Sequence, residues 1–188
     1  MPKRKVKEEK PRKRLGKKEL LIPPAAMGAS LLVTLVIIPL FAPPPTPLEV
    51  CLKGHNVDTF SIHPTVEVLV NGELKSLPAG IGNDTVDGKE CLRTIHTDAQ
   101  GNIIHIEYVR PIRLTLGDFM KIYAPDNSTI PIIDNSTGSF SEKRLNLSDY
   151  DISYSYYSEE KEFTNVKNAS DVPPFRDNMV NRIELNSK

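Results

Sequence analysis

Cysteine, net charge and the common catalytic signatures are what this chain has least of. Two cysteines in 188 residues leave room for a single bridge, so no disulfide-dense scaffold is available. No nucleophile elbow, phosphate loop, zincin helix or Cys-x-x-Cys pair occurs. That removes the familiar signatures of hydrolases, nucleotide-dependent enzymes, metalloproteases and thiol oxidoreductases. Net charge is zero, with 24 Lys and Arg against 24 Asp and Glu. The zero hides a segregation. Residues 1–19 hold ten basic side chains against Glu8, Glu9 and Glu19, a net of +7, and the rest of the chain therefore sums to −7.

What lies between the two charged parts is 29 uncharged residues, 20–48. A bilayer core of ~30 Å needs about 20 helical residues at ~1.5 Å each, and 20–42 meets that requirement. Pro23 and Pro24 suit a helix start, Pro39 falls in the last turn, and Pro43, Pro44 and Pro45 end it. A cleaved signal peptide fits less well, because the cut site after Ala42 would precede three prolines. The positive-inside rule places the basic tail in the cytoplasm and the rest outside the cell membrane. The tail then reads as a topology determinant drawn to anionic lipid rather than as a nucleic-acid patch. The expected organisation is a basic cytoplasmic tail at 1–19, a transmembrane helix at 20–42, a Pro-rich spacer at 43–47 and an extracytoplasmic domain at 48–188.

Three features agree with that export. Asn-x-Ser/Thr acceptors stand at Asn83, Asn127, Asn135, Asn146 and Asn168. Both cysteines, Cys51 and Cys91, lie beyond the apolar run. In an oxidising compartment they predict one disulfide closing a loop of about 40 residues, worth ~3–4 kcal/mol; two free thiols or a metal-ligating pair are the alternatives. The exported part is also acidic, which favours solubility and names no partner.

Its residues read as α+β with a mostly antiparallel sheet. Residues 65–70 alternate so that Val66, Val68 and Val70 face a core. Asn71-Gly72 then supplies a two-residue hairpin turn, and 73–77 returns. Residues 80–88 read as a loop, while 91–97 and 102–109 are strands joined through Asp98-Ala99-Gln100-Gly101. Residues 116–123 form a short helix capped by Thr115. The Ser/Thr/Asn-rich stretch 125–141 reads as loop, 152–157 as a weakly alternating strand, and 178–185 as the terminal strand.

The only concentrated chemistry is His96, Asp98, His105 and Glu107, with His63 just before the strand at 65–70. Imidazole nitrogens suit copper, zinc or nickel, and a carboxylate can complete such a set. With a 98–101 loop, Thr97 pairs with Asn102 and His96 with Ile103. His96 and His105 then share a face as diagonal neighbours ~7–8 Å apart; a loop one residue shorter separates them. The candidate metal ligands are His63, His96, Asp98 and His105. The competing expectation is structural, with His96 binding backbone near the turn and His105 half-buried among isoleucines. His55 reads as a loop residue near Cys51. A Cys91–His96 nucleophilic pair would require a free thiol.

These residues carry a resemblance. His63-Pro64-Thr65, Val70-Asn71-Gly72, Pro78-Ala79-Gly80-Ile81-Gly82, Cys91, His96-Thr97-Asp98, Ile103-Ile104-His105-Ile106-Glu107 and Leu114-Thr115-Leu116-Gly117-Asp118-Phe119-Met120 follow a pattern. It resembles that of an uncharacterised family of membrane-anchored extracytoplasmic domains in archaea and some bacteria. The stretch from Lys161-Glu162-Phe163 to Glu184 resembles that family's closing hairpin. The likeness covers about residues 51–185, and Thr65 and Asp98 stand where the pattern has histidines. The resemblance implies an exported domain, with copper as the first metal to test. The expected role is a non-enzymatic accessory or interaction subunit of a membrane complex, in contact with the lipid bilayer and membrane-protein partners and not nucleic acid. A copper- or zinc-binding ectodomain is the alternative, and a thiol-disulfide or hydrolytic enzyme the third.

Overall fold

The computed structural model describes residues 46–52, 54, 60–134, 140–157 and 162–188, together with Val33 and Leu35. The basic tail, the apolar run apart from those two residues, most of the Pro-rich spacer, His55 and Asn135 lie outside the described residues. Among the described residues no helix is long and apolar enough to cross a membrane. The chain divides into Met1–Pro44 and Pro45–Lys188, and everything below concerns the second unit.

Strands β1 (Cys51–Leu52) and β2 (Phe60–Ile62) precede the hairpin of β3 (Thr65–Val70) and β4 (Glu73–Lys75). Then come β5 (Asn83–Val86), β6 (Lys89–Arg93), β7 (Ile95–His96) and β8 (His105–Tyr108). One helix follows, α1 (Leu116–Tyr123), then β9 (Thr129–Asp134), β10 (Ser141–Asn146), β11 (Tyr150–Tyr157), β12 (Thr164–Val166) and β13 (Val180–Ser187). The largest sheet runs β12-β11-β13-β3-β4, and smaller ones are β1-β6-β5, β2-β8-β7 and β10-β9. Every described pairing is antiparallel except β13 beside β3. The described residues thus make a mostly antiparallel β domain with one α-helix, plus short 3-10 turns.

The local reasons are visible in the sequence. Asn71 and Gly72 both take positive φ, 51° and 81°, the pattern of a type I′ two-residue turn between paired Val70 and Glu73. Val66 and Val68 are fully buried, while Val70 is only half so. Helix α1 starts where Thr115 caps it, with Asp118 returning the bond to the Thr115 N–H at 3.0 Å. Its Leu116, Phe119 and Tyr123 meet Ile95, Ile104, Ile106, Ile130, Ile132, Ile183 and Leu185 in one core.

Two segments differ from expectation. Residues 83–86, read as loop, pair with β6 through the Asp87-Gly88 turn, at φ 51° and 75°. Residues 129–134, within the stretch 125–141 read as loop, pair with 141–146 to form a ribbon. Ile130 and Ile132 fill the core beneath it. Pro131 fits there because this side of β9 faces away from β10: the neighbouring Ile133 N–H bonds Ser76 O instead, at 2.8 Å.

Asp118 and Asp126 hold turns together as carboxylates. Asp126 accepts from the Ser128 hydroxyl, the Ser128 N–H and the Thr129 N–H, which lowers its pKa from 3.8 to about 2. Burial pushes Asp118 up, but Lys121 and Thr115 more than offset it and leave it below 3.8. Both therefore add stability that is complete above the ordinary 3.8 and is lost as pH falls through their lowered folded-state pKa values, about 2 for Asp126. Urea midpoints taken on either side of that window should drop for the wild type. They should drop less for Asp126→Ala.

Candidate metal centre

The centre is built on β2-β8-β7. His96 on β7 stands directly opposite His105 on β8. This differs by two residues from the expected register, in which Ile103 faced His96. The shift has a cause. Thr97 is drawn away, its N–H bonding Ile81 O and its hydroxyl donating to Pro78 O, while Gly101, Asn102 and Ile103 pair with Leu77, Val66 and Thr65. Residues 97–104 thus form the connection. A shift of two preserves the face, so the imidazoles still meet, stacked with centroids 5.5 Å apart at 17°. On the other flank Ile62 pairs with Ile106, so the next residue, His63, continues the row opposite His105. Those two rings meet edge to face at 4.8 Å.

Glu107 is the residue that the sequence-based ligand set leaves out. It lies two positions beyond His105 and shares its face. Donor atoms of His96, His105 and Glu107 all lie within 4.8 Å of one another. Glu107 is 3 % exposed, and its buried Oε2 has no hydrogen-bond partner among the described residues. A buried carboxylate oxygen without a donor is costly unless a cation or proton meets it. Asp98 reaches in from the connection, 3.4 Å from His96 Nε2 and 3.5 Å from His105 Nε2.

His96 is oriented from behind. Its Nδ1 lies 2.9 Å from Arg93 O, and a carbonyl only accepts, so Nδ1 carries the proton. In the neutral ring Nε2 then presents its lone pair to the cluster, the arrangement that metal-bound histidines take from their outer partners. Arg93 is fixed in turn. Its N–H bonds Gly82 O at 2.8 Å, its Nε reaches Asp84 at 2.7 Å, and Nη1 donates to Glu49 O at 3.0 Å. Two residues earlier, Cys91 is bonded to Cys51, with Cα atoms 4.9 Å apart. No free cysteine exists among the described residues, so the thiol-dependent alternatives lose their nucleophile.

Donor atoms around four-coordinate zinc at ~2.0–2.1 Å sit about 3.4 Å apart. With every pair within 4.8 Å, the trio would contract by at most about 1.4 Å per pair, within reach of side-chain rotation. A cleft of about 340 Å³ opens over the row, lined by His63, Asp98, Asn102, Ile103 and His105. Of the acceptor asparagines, Asn83, Asn127, Asn146 and Asn168 are exposed.

No family model, curated protein or solved structure matches the chain. Its chemistry stands on this geometry alone.

Proposed function

We propose that this chain is a membrane-anchored, non-enzymatic metal-binding domain that holds one divalent cation at His96, His105 and Glu107, with Asp98 completing the set. The buried Glu107 Oε2, which has no hydrogen-bond partner among the described residues and belongs to a group with two imidazoles, carries the reading. A purely structural pair of histidines has no use for it, and an accessory subunit without a ligand would do better with an apolar residue there. The donor set selects the cation class. Two imidazoles and carboxylates, with both thiols locked in a disulfide, favour Zn(II) or Cu(II) over Cu(I). The uncharged run at 20–48 and the +7 tail support the anchor, and with the positive-inside rule they support a place for this domain on the outer face of the cell membrane. The family resemblance supports the same location.

Titration of the full-length chain in detergent with Zn(II) and Cu(II) tests this. One equivalent should bind. At 100 times Kd the stabilisation is ~2.7 kcal/mol, which corresponds to a thermal midpoint raised by roughly 8 °C for a domain of this size. An unchanged midpoint with neither metal bound stoichiometrically would sink the proposal.

A further inference from the structure

The row of histidines extends beyond the ligands just assigned, and its burial is graded. His63 is 46 % exposed in its side chain, His105 24 %, and His96 not at all. Carboxylates follow the same gradient. Asp177, 59 % exposed, accepts from the His63 N–H at 2.9 Å and lies 3.9 Å from its Nδ1. Asp98, 43 % exposed, stands between His105 and His96, and Glu107 lies innermost. One strand register therefore sets the imidazoles in step from solvent to interior, and carboxylates from the connection, the 177 turn and β8 accompany them.

A cation that reaches His96 must shed its water on the way, because that side chain has no contact with solvent. Bare transfer of a divalent ion into such a place is prohibitive, so protein donors have to replace waters one at a time. His63 is placed for the first replacement. It lines the same cleft as Asp98 and His105, and its ring lies 4.8 Å from that of His105. An ion held at the cleft can then exchange one imidazole for the next by ring rotation, without backbone movement.

We propose that His63 is a loading ligand: it takes the cation at the cleft, beside Asp98, and passes it through His105 to the buried seat, without itself belonging to the resting site. This rests on the reading of His96, His105 and Glu107 as that seat. Lowering a barrier on the path speeds arrival and departure alike and leaves affinity alone.

Stopped-flow mixing of Zn(II) with the full-length chain in detergent gives the association rate, and chelator chase gives the release rate. His63→Ala should slow both by about tenfold or more while Kd stays within about twofold. His63→Asn, which keeps a polar group of similar reach, should behave like His63→Ala, and unchanged thermal midpoints would show that both variants fold. Two results overturn the loading role: rates equal to wild type, or a weaker Kd with faster release, which would make His63 a ligand of the seat itself. Both leave the buried site standing. A wild type that binds no Zn(II) or Cu(II) removes the seat and the path together.

Discussion

Glu107→Gln is expected to bind Zn(II) about 100-fold more weakly than the wild type, yet to be the more stable protein when metal is absent. Both signs follow from one position. Glu107 is 3 % exposed, and its Oε2 meets no donor among the described residues. A buried carboxylate oxygen without a donor is costly, and a bound cation would offset that cost. Glutamine keeps the shape and removes the charge, but still asks for hydrogen bonds, so the gain without metal should be about 1 kcal/mol. The amide oxygen is a far poorer ligand than a carboxylate, and a 100-fold loss of affinity corresponds to ~2.7 kcal/mol. With metal at saturation the order of stabilities should therefore reverse. Urea midpoints of both proteins, with and without Zn(II), read the two effects separately. His105→Ala is the comparison: it should lose the metal without the gain, because it removes a ligand that carries no buried charge penalty when neutral. If Glu107→Gln destabilises the metal-free protein instead, Glu107 is a structural partner of some other group and the site reading fails.

The sequence announces elements whose cause is local. Asn71-Gly72 marks the β3–β4 hairpin because both residues tolerate the positive φ of a type I′ turn, and Thr115 with Asp118 marks the first turn of α1. Elements defined by distant partners stay hidden. Strand β5 exposes every side chain, so it has no alternation to read, although Asp87-Gly88 is the same kind of turn signal. Strand β9 does alternate, with Ile130 and Ile132 inward, but its polar flanks and Pro131 mask the pattern until Ser76 is seen to take the outward bonds. The site divides in the same way. That His96 and His105 share a face depends on the parity of the loop between them, which the sequence alone leaves open and the structure resolves. Their register depends on Thr97, Gly101 and Ile103 being recruited by strands distant in sequence. Glu107 was legible as the next residue on the face of His105, a period-two inference from the same strand.

Gly82→Ala should cost the fold about 2–4 kcal/mol and weaken metal binding, although Gly82 is not among the proposed ligands. Its φ is +80°, a region where a side chain adds strain of about 1 kcal/mol or more. Steric crowding costs more than that strain. A Cβ here would fall well inside contact distance of the Ile95 carbonyl oxygen and 3.1 Å from both Cα and Cβ of His96. Backbone cannot yield as a flexible side chain does, so β7 must move, and overpacking of this kind adds about 1–3 kcal/mol. The movement propagates along named bonds. Gly82 O accepts the Arg93 N–H, and Arg93 O in turn fixes Nδ1 of His96. Displacing either end rotates Nε2 of His96 away from Glu107 and Asp98. Gly80→Ala separates strain from clash. Its φ is +79°, but the nearest atom to a new Cβ is Asn83 Nδ2 at 3.8 Å, ordinary contact. It should therefore lose about 1 kcal/mol and bind Zn(II) as the wild type does. Equal losses in the two alanine variants, by urea midpoint and by titration, would mean that backbone strain is the whole effect and that β7 tolerates displacement. A loss several times larger at Gly82, with metal affinity falling only there, ties the ligand geometry of His96 to the close approach of the 78–82 segment.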